Sequence, residues 1–197
     1  MRSRTDTELV TASQGGDRAA MEELLGRHHD RLYAVCRGIA GADDAADATQ
    51  AALMSVVRGL PRFDGRARFT TWSHRIAVNA ALDELRRRKR RPEPVDPLGG
   101  SGDSSRERRE LEGVPATSKV AMGTPSIDPA ALVVDRQVVE AALAALREEF
   151  RVPLVLAEYG GLEYSEIAET LEIPVGTVRS RIARARAQLL DSGRGSP

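Results

Sequence analysis

The chain has 197 residues, enough for one ordinary domain or two small ones, and 41% of them are hydrophobic, so a core can form. Aromatic residues make up only 4% and Ala, Leu and Arg are abundant, which favours an all-α protein built from small helical units. No apolar run approaches the roughly 18 residues needed to cross a bilayer, and the polar N-terminus does not resemble a signal segment. We therefore expect a cytoplasmic protein without membrane insertion.

The formal net charge is zero, but the charges are segregated along the chain. Residues 62–91 carry ten Arg or Lys against three acids, a balance of +7, and residues 175–190 carry four Arg and no acid. Two basic surfaces are therefore expected beside acidic ones. Cys36 is alone and the three His have no metal-ligand spacing, so we predict no disulfide, metal or cofactor. Cys36 on an apolar helix face is typical of a small core residue, with a redox sensor as the alternative.

Residues 1–91 are predicted to form a compact four-helix unit. Capping residues and prolines mark the ends of its helices, and apolar residues recur at helical spacing between them. The predicted boundaries are Asp6 to about Gln14, Asp17 to Gly41, Asp43 to Pro61, and Thr70 or Thr71 to about Arg90.

Residues 92–131 are predicted to be a flexible linker, because they hold six of the ten Pro, five Gly and few apolar side chains. This segment spans about 35 Å as a relaxed coil and about 130 Å when fully extended. Residues 132–191 are predicted to form a second helical unit, and residues 192–197 a disordered tail.

The strongest local signal lies in residues 164–190, which match a helix-turn-helix. Ile167, Ala168 and Leu171 point inward from its first helix, and Val178 and Ile182 point inward from its second. Such a second helix fits the DNA major groove, where Arg bridges guanine O6 and N7. A solvated basic helix is the alternative. The outer face is predicted to carry Arg179, Ser180, Ala183 and Arg184, with Arg181 and Arg186 beside it.

A second cluster joins aromatic and basic side chains near the fourth predicted helix, a combination suited to unstacked bases and their backbone. Trp72 alone is more typical of a core anchor than of a base platform. Asn79 in mid-helix needs a partner, either a base or a neighbouring helix. The six cations at residues 86–91 are expected to contact phosphates, with a solvated helix end as the alternative. The cluster comprises Phe63, Arg66, Arg68, Phe69, Trp72, Arg75 and Asn79.

These segments resemble the extracytoplasmic-function (ECF) sigma factors of the sigma-70 family. Residues 62–65 and 69–83 look like region 2 of that family, and residues 43–50 resemble its polymerase-binding helix. Residues 164–168 and 174–181 look like region 4. The resemblance covers about residues 6–91 and 132–190, and both motif sets occur in the family's order.

The resemblance implies an alternative sigma factor that binds RNA polymerase core and directs promoter-specific transcription initiation, in a stress response and under an anti-sigma partner. By matching position, Asp47 and Gln50 face polymerase, and Asn79 accepts a flipped base of the minus-10 element. Ala51 departs from the Glu that is common in the family. The implied minus-10 set is Phe63, Arg66, Arg68, Trp72, Arg75 and Asn79, and the implied minus-35 set is Arg179, Ser180, Ala183 and Arg184.

The main alternative is a polymerase-independent transcription regulator, because the helix-turn-helix also looks like the DNA-binding unit of two-component response regulators. The N-terminal half has no phosphate-acceptor strand pattern, which argues against that class. A nucleic-acid hydrolase or ligase is disfavoured because no carboxylate cluster, Cys-His pair or Gly-rich phosphate loop has a usable spacing. A protein that only binds a regulator would leave both basic surfaces unexplained. We therefore predict a protein that is not an enzyme.

Overall fold

A computed structural model describes the backbone of residues 4–90 and 129–194, with side chains at 4–90 and 137–191. Throughout these ranges the regular structure is helical, which confirms the predicted all-α class. A 3₁₀ turn, Leu60–Arg62, follows the third helix. The helices are α1 Asp6–Gln14, α2 Arg18–Ala40, α3 Ala45–Gly59, α4 Phe69–Arg90, α5 Pro129–Ala145, α6 Glu148–Glu158, α7 Tyr164–Leu171 and α8 Val175–Arg194.

Two predicted boundaries differ from the structure. Helix α5 begins at Pro129, inside the predicted linker of residues 92–131, because proline suits the first turn of a helix. The rest of that linker lies outside the described residues. Helix α8 continues to Arg194 and so includes the first three residues of the predicted tail.

The helix starts follow from local hydrogen bonds. Asp17 caps α2 as predicted, since its carboxylate accepts a hydrogen bond from the Ala20 amide at 3.0 Å. Helix α1 is capped one residue earlier than predicted. The Thr5 hydroxyl accepts from the Glu8 amide at 3.3 Å, and the Glu8 carboxylate accepts from the Thr5 amide at 2.7 Å. This reciprocal capping box satisfies two amides that would otherwise lack partners.

Helices α2, α3 and α4 form the centre of the first unit. Leu32 and Ile39 of α2 are buried against a row of small residues on the facing helices. Alanines at such positions let helix axes approach closely, so the unit packs without bulky residues at every crossing. The buried alanines are Ala48 and Ala52 of α3 and Ala77 and Ala81 of α4.

The second unit, α5 to α8, packs directly on the first. Val155 and Leu156 of α6 are fully buried in one hydrophobic cluster with Val35 of α2. Gly38 of α2 lies against α6 so closely that a Cβ at this position would be 2.8 Å from Val155 Cγ1. The two predicted helical units therefore share a core.

Cys36 and His74 are titratable side chains that are fully buried between the helices. Burial raises the pKa of the Cys36 thiol to about 11, and the side chain is fully enclosed, as a core position requires. Burial also lowers the pKa of His74 from its ordinary value of 6.5. The His74 Nδ1 bonds to the Thr70 carbonyl at 2.8 Å, while its Nε2 has no hydrogen-bond partner among the described residues.

Candidate nucleic-acid interface

Helix α8 is positioned by a tight hairpin with α7. Val178 and Ile182 are buried and hold α8 against the rest of its unit. The turn between the helices places Glu172 in the left-handed region at φ 55°, where a residue other than glycine is uncommon. The turn is closed by a hydrogen bond from the Ile173 amide to the Ala168 carbonyl at 3.1 Å.

The predicted outer face of α8 is exposed. Residues 179 and 183, and residues 180 and 184, are four apart and therefore lie on one side of the helix. Across the described parts of the chain, neither Arg179 nor Arg184 forms an ion pair, so both guanidinium groups are available to a ligand. The exposed set is Arg179, Ser180, Ala183 and Arg184.

The two arginines that flank this face are already paired. Arg186 contacts the Glu158 carboxylate at 2.7 Å, and Arg181 lies 3.9 Å from a Glu149 carboxylate oxygen. The structure therefore distinguishes free arginines on the outer face of α8 from arginines that tie α8 to α6.

The aromatic part of the second predicted cluster is a packed group. The Phe63 and Trp72 ring centroids are 4.8 Å apart, and those of Phe69 and Trp72 are 5.7 Å apart. Trp72 also covers Gly59, where a Cβ would approach the indole within 2.9 Å. This packing supports the core-anchor interpretation of Trp72. Its role, and that of Phe63, as a platform for a base stays a prediction.

The loop that holds Phe63 is fixed from α1. The Gln14 side-chain amide donates hydrogen bonds to the carbonyls of Leu60 and Phe63, at 2.9 and 2.8 Å. Sequence reasoning missed this contact, because a single Gln at a helix end carries no pattern that identifies its distant partner.

The basic residues of the cluster differ in their partners. Arg66 is exposed and pairs with Asp64 of its own loop at 3.1 Å. Arg68 contacts Glu166 at 3.0 Å and Arg75 contacts Glu172 at 2.9 Å, both across the junction between the units. The structure thus brings two of the predicted minus-10 arginines onto the second unit.

Asn79 is exposed on α4, one helical turn after Arg75. Its amide makes no side-chain hydrogen bond within the described residues, so a bond to a neighbouring helix does not explain its presence there. The residue lines a crevice of about 380 Å³ between α4 and the second unit, with Thr170 and Arg181 on the other side. Binding of a base by the Asn79 amide stays a prediction.

The cationic end of α4 is largely neutralised. Arg86 contacts Asp83 at 2.9 Å, Arg88 contacts Asp44 at 3.2 Å, and Lys89 contacts Glu148 at 3.0 Å. Arg87 is also paired, with Glu84. Phosphate contact by this run stays a prediction, and Arg91 lies outside the described residues.

Helix α3 presents the predicted polymerase-facing residues Asp47 and Gln50 on its exposed side. Next to Gln50 lies an apolar groove of about 580 Å³ lined by Tyr33, Leu53, Met54 and Val57. Met54 is 51% exposed and Val57 is 42% exposed. Sequence reasoning missed this groove. The available signal was the adjacent pair at residues 56 and 57, since neighbours on a helix diverge by about 100° and cannot both face one core.

Metal and membrane sites are not found in the described residues. No group of three or more His, Cys, Asp or Glu in residues 4–90 and 129–194 is arranged to hold a metal ion. None of the helices described combines the length and apolar character needed to span a membrane.

Comparison with known proteins matches each helical unit to a protein family description. The family description Sigma-70 region 2 matches residues 24–91, and Sigma-70, region 4 matches residues 136–189. The fold and both surfaces therefore define a sigma-70 type protein. The ECF RNA polymerase sigma factor SigM of Mycobacterium tuberculosis is 35% identical over 94% of this chain and 83% of its own length.

Two further relatives are also RNA polymerase sigma factors. The RNA polymerase sigma-H factor of Pseudomonas aeruginosa is 34% identical over 92% of this chain and 90% of its own length. The ECF RNA polymerase sigma-E factor of Escherichia coli is 34% identical over 92% of this chain and 91% of its own length. The chain belongs to the ECF family of RNA polymerase sigma factors, and it functions in transcription initiation as an alternative sigma factor.

Solved structures support the same fold. CnrH, in complex with the cytosolic domain of CnrY, superposes with a TM-score of 0.68 at 23% identity, covering 98% of this chain and 99% of that one. RpoE of Bartonella quintana, in complex with the anti-sigma factor NepR, superposes with a TM-score of 0.61 at 21% identity. The match covers 89% of this chain and 98% of that one.

Proposed function

We propose that this sigma factor reads a promoter with two separate surfaces. Helix α8 contacts the minus-35 element in the major groove through Arg179, Ser180, Ala183 and Arg184. Helix α4 and the loop before it hold the melted minus-10 element, with Asn79 on a flipped base and Arg66, Arg68 and Arg75 on the backbone. The single observation that carries this proposal is the exposed outer face of α8, whose two arginines have no ion-pair partner within the described residues.

The proposed polymerase contact is on α3. Gln50 lines the apolar groove around Met54, and Asp47 is exposed on the same helix. An exposed apolar groove with a polar rim is typical of a protein interface. Core polymerase would cover this groove on binding. We further propose an anti-sigma partner, since the similar protein RpoE is solved in complex with the anti-sigma factor NepR. The protein would act in the cytoplasm and catalyse no reaction itself.

The minus-35 assignment is tested by Arg184→Ala in reconstituted transcription with core polymerase on a library of genomic fragments. Loss of a bidentate base contact costs about 1 to 3 kcal/mol, so we expect reduced RNA from promoters that share a minus-35 sequence and altered promoter ranking. The matched control is Arg18→Ala, an exposed arginine at the start of α2, which should leave the ranking unchanged. An equal loss at every promoter would identify Arg184 as a phosphate contact.

A gel-shift series without polymerase distinguishes a sigma factor from the alternative, a polymerase-independent regulator. Promoter elements two helical turns apart lie roughly 70 Å from each other, and we expect the free protein to bind such DNA weakly. Tight, sequence-specific binding in the absence of core polymerase would favour the alternative.

A further inference from the structure

A large cleft between the helices is not used by the proposed reading of a promoter. It has a volume of about 1200 Å³ and is bordered by α2, α4, the end of α5 and the start of α6. Ligand pockets usually measure about 300 to 1,000 Å³, so the cleft has room for a molecule of nucleotide size. None of the residues assigned above to the minus-10 element, the minus-35 element or polymerase lines it.

Arg151 of α6 is a buried cation on the wall of this cleft. Only 6% of its surface is exposed, and its Nε has no hydrogen-bond partner among the described residues. The Glu148 charge acts on Arg151, but the Glu148 carboxylate bonds to Lys89 at 3.0 Å instead. Burial lowers the pKa of Arg151 from its ordinary value, yet a guanidinium stays protonated in a protein. An anion in the cleft would therefore meet a desolvated positive charge that lacks a partner.

The lining of the cleft is positive overall. It holds five Arg or Lys and three Glu, a balance of +2. Each glutamate already pairs with a cation of the lining, whereas Arg88 pairs with Asp44 outside it. The excess charge suits a ligand with more than one negative charge. The pairs within the lining are Arg37 with Glu140, Lys89 with Glu148, and Arg147 with Glu149.

The start of α6 adds hydrogen-bond donors at the same place. Glu148 and Glu149 are the first two residues of this helix, and both line the cleft. The N-cap residue, Arg147, makes no side-chain capping hydrogen bond, so the first amides of α6 lack partners within the helix. The positive end of the helix dipole favours an anion, and phosphate is the anion that such a helix start typically binds.

Apolar side chains complete the lining of the cleft. Leu85 lies on α4, and Leu143 and Leu146 lie at the end of α5 and just after it. Sites for small organic molecules combine such apolar surface with a few convergent polar groups. An inorganic anion would make no use of the leucines, whereas the ring of a nucleotide would cover them.

We propose that this cleft is a binding site for a soluble nucleotide, with a phosphate group on the Arg151 guanidinium and at the start of α6. Lys89 and Arg147 contact further phosphates, because their side chains are 62% and 76% exposed and their ion pairs are weak enough to exchange a carboxylate for a phosphate. The leucines accept the ring. This inference goes beyond the proposed promoter function and does not depend on it.

Thermal unfolding of the whole chain tests the site. A ligand that binds only the folded protein raises the Tm, so we compare the parent and Arg151→Met with and without about 1 mM GTP or ATP. Methionine keeps an unbranched apolar stem and removes the charge. The matched control is Arg18→Met, which removes an exposed arginine at the start of α2. Further samples contain inorganic pyrophosphate, a short DNA duplex, or potassium chloride at equal ionic strength.

We expect at least one of the two nucleotides to raise the Tm of the parent and of Arg18→Met by about 3 °C or more, and to leave the Tm of Arg151→Met unchanged. Pyrophosphate should raise the Tm less, because it cannot cover the leucines. An equal rise with pyrophosphate would overturn the nucleotide assignment.

Three other outcomes would overturn the inference as a whole. They are no rise in the parent with either nucleotide, an equal rise in the parent and Arg151→Met, and the same rise with potassium chloride. An Arg151-dependent rise with the DNA duplex that equals the rise with nucleotide would assign the cleft to the DNA backbone and would also overturn it. Polymerase takes no part in this assay, so each of these results leaves the proposed sigma-factor function intact.

A variant at the rim keeps the proposal testable if Arg151→Met fails to fold. Arg147→Gln removes one cation whose side chain is 76% exposed, so the core is not disturbed. Isothermal titration gives the dissociation constant for the nucleotide that raises the parent Tm more. Arg147→Gln should bind it about two- to fivefold more weakly than the control Arg18→Gln, and equal affinities would overturn the inference.

Discussion

Asn79 occupies an exposed position in mid-helix where its amide has no hydrogen-bond partner within the described residues. An asparagine there costs helix propensity, so a ligand role accounts for it better than a structural one. Trp72, in contrast, packs on Gly59 and Phe63, and this packing accounts for its presence without a ligand.

Asn79→Ala should reduce promoter opening and leave polymerase binding unchanged. Losing one hydrogen-bonded base contact costs about 1 to 3 kcal/mol, and the alanine removes no packing because the side chain is exposed. Opening is measured by permanganate reactivity of unpaired thymines, and polymerase binding by fluorescence anisotropy of labelled sigma factor. Loss of polymerase binding would contradict the assignment.

Cys36 should resist thiol reagents in the folded protein. The side chain is fully buried, and burial raises the pKa of its thiol to about 11, so the reactive thiolate is scarce at neutral pH. We expect modification by a disulfide reagent at about pH 8 only as fast as the protein unfolds, and rapid modification in denaturant. Fast modification of the native protein would instead support a redox role.

At the scale of the element, α3 shows how a helix can serve two surfaces. Its buried side is formed by small residues such as Ala48 and Ala52, whereas Met54 and Val57 point into solvent. Leaving large apolar side chains exposed has a hydration cost, and a partner that covers them offsets that cost. The groove is therefore expected to contribute more polymerase affinity than the charged residue Asp47 on its exposed side.

Met54→Gln should weaken binding to core polymerase by about 1 kcal/mol or more, as truncation of an interface anchor does. The folded stability should change little because Met54 is 51% exposed. The matched control is Leu190→Gln on α8, where the side chain is 67% exposed and lies far along the chain from α3. Equal effects of the two substitutions on polymerase affinity would contradict a specific role for the groove.

The elements were largely predictable from local chemistry. Asp17 as the cap of α2 follows from capping residues that act within a few positions of each other. The position of Arg179 and Arg184 on the outer face of α8 follows from helical spacing alone. The groove at Met54 was not predicted, because periodicity indicates which residues can be buried and does not show which apolar residues remain exposed.

At the scale of the whole molecule, sequence reasoning could not predict the junction between the units. Gly38 and Val155 are more than a hundred residues apart, and neither belongs to a motif. The contact depends on the fit of α2 against α6, where Gly38 leaves room for the valine side chain. The pairing of Arg75 with Glu172 follows from that fit, so it was equally invisible in the sequence.

The junction also gives the molecule a predicted pH dependence through His74. This side chain is fully buried on α4, and a Cβ at Gly160 would lie 3.2 Å from its Cδ2. Burial lowers the pKa of His74 below its ordinary value of 6.5, so the folded protein binds fewer protons than the unfolded chain just below that pH. The free energy of unfolding should therefore fall as the pH drops below about 6.5.

The His74 contribution is isolated by comparing the parent with His74→Gln in urea unfolding at about pH 7.5 and about pH 5.5. The charged and titratable neighbours His28, Arg31 and Glu166 are common to both proteins, so their contributions largely cancel in the difference. We expect the parent to lose more stability than His74→Gln over this interval, because only the parent must keep a neutral imidazole buried. Identical losses would show that His74 is protonated in the folded protein without cost, and that the junction tolerates the charge.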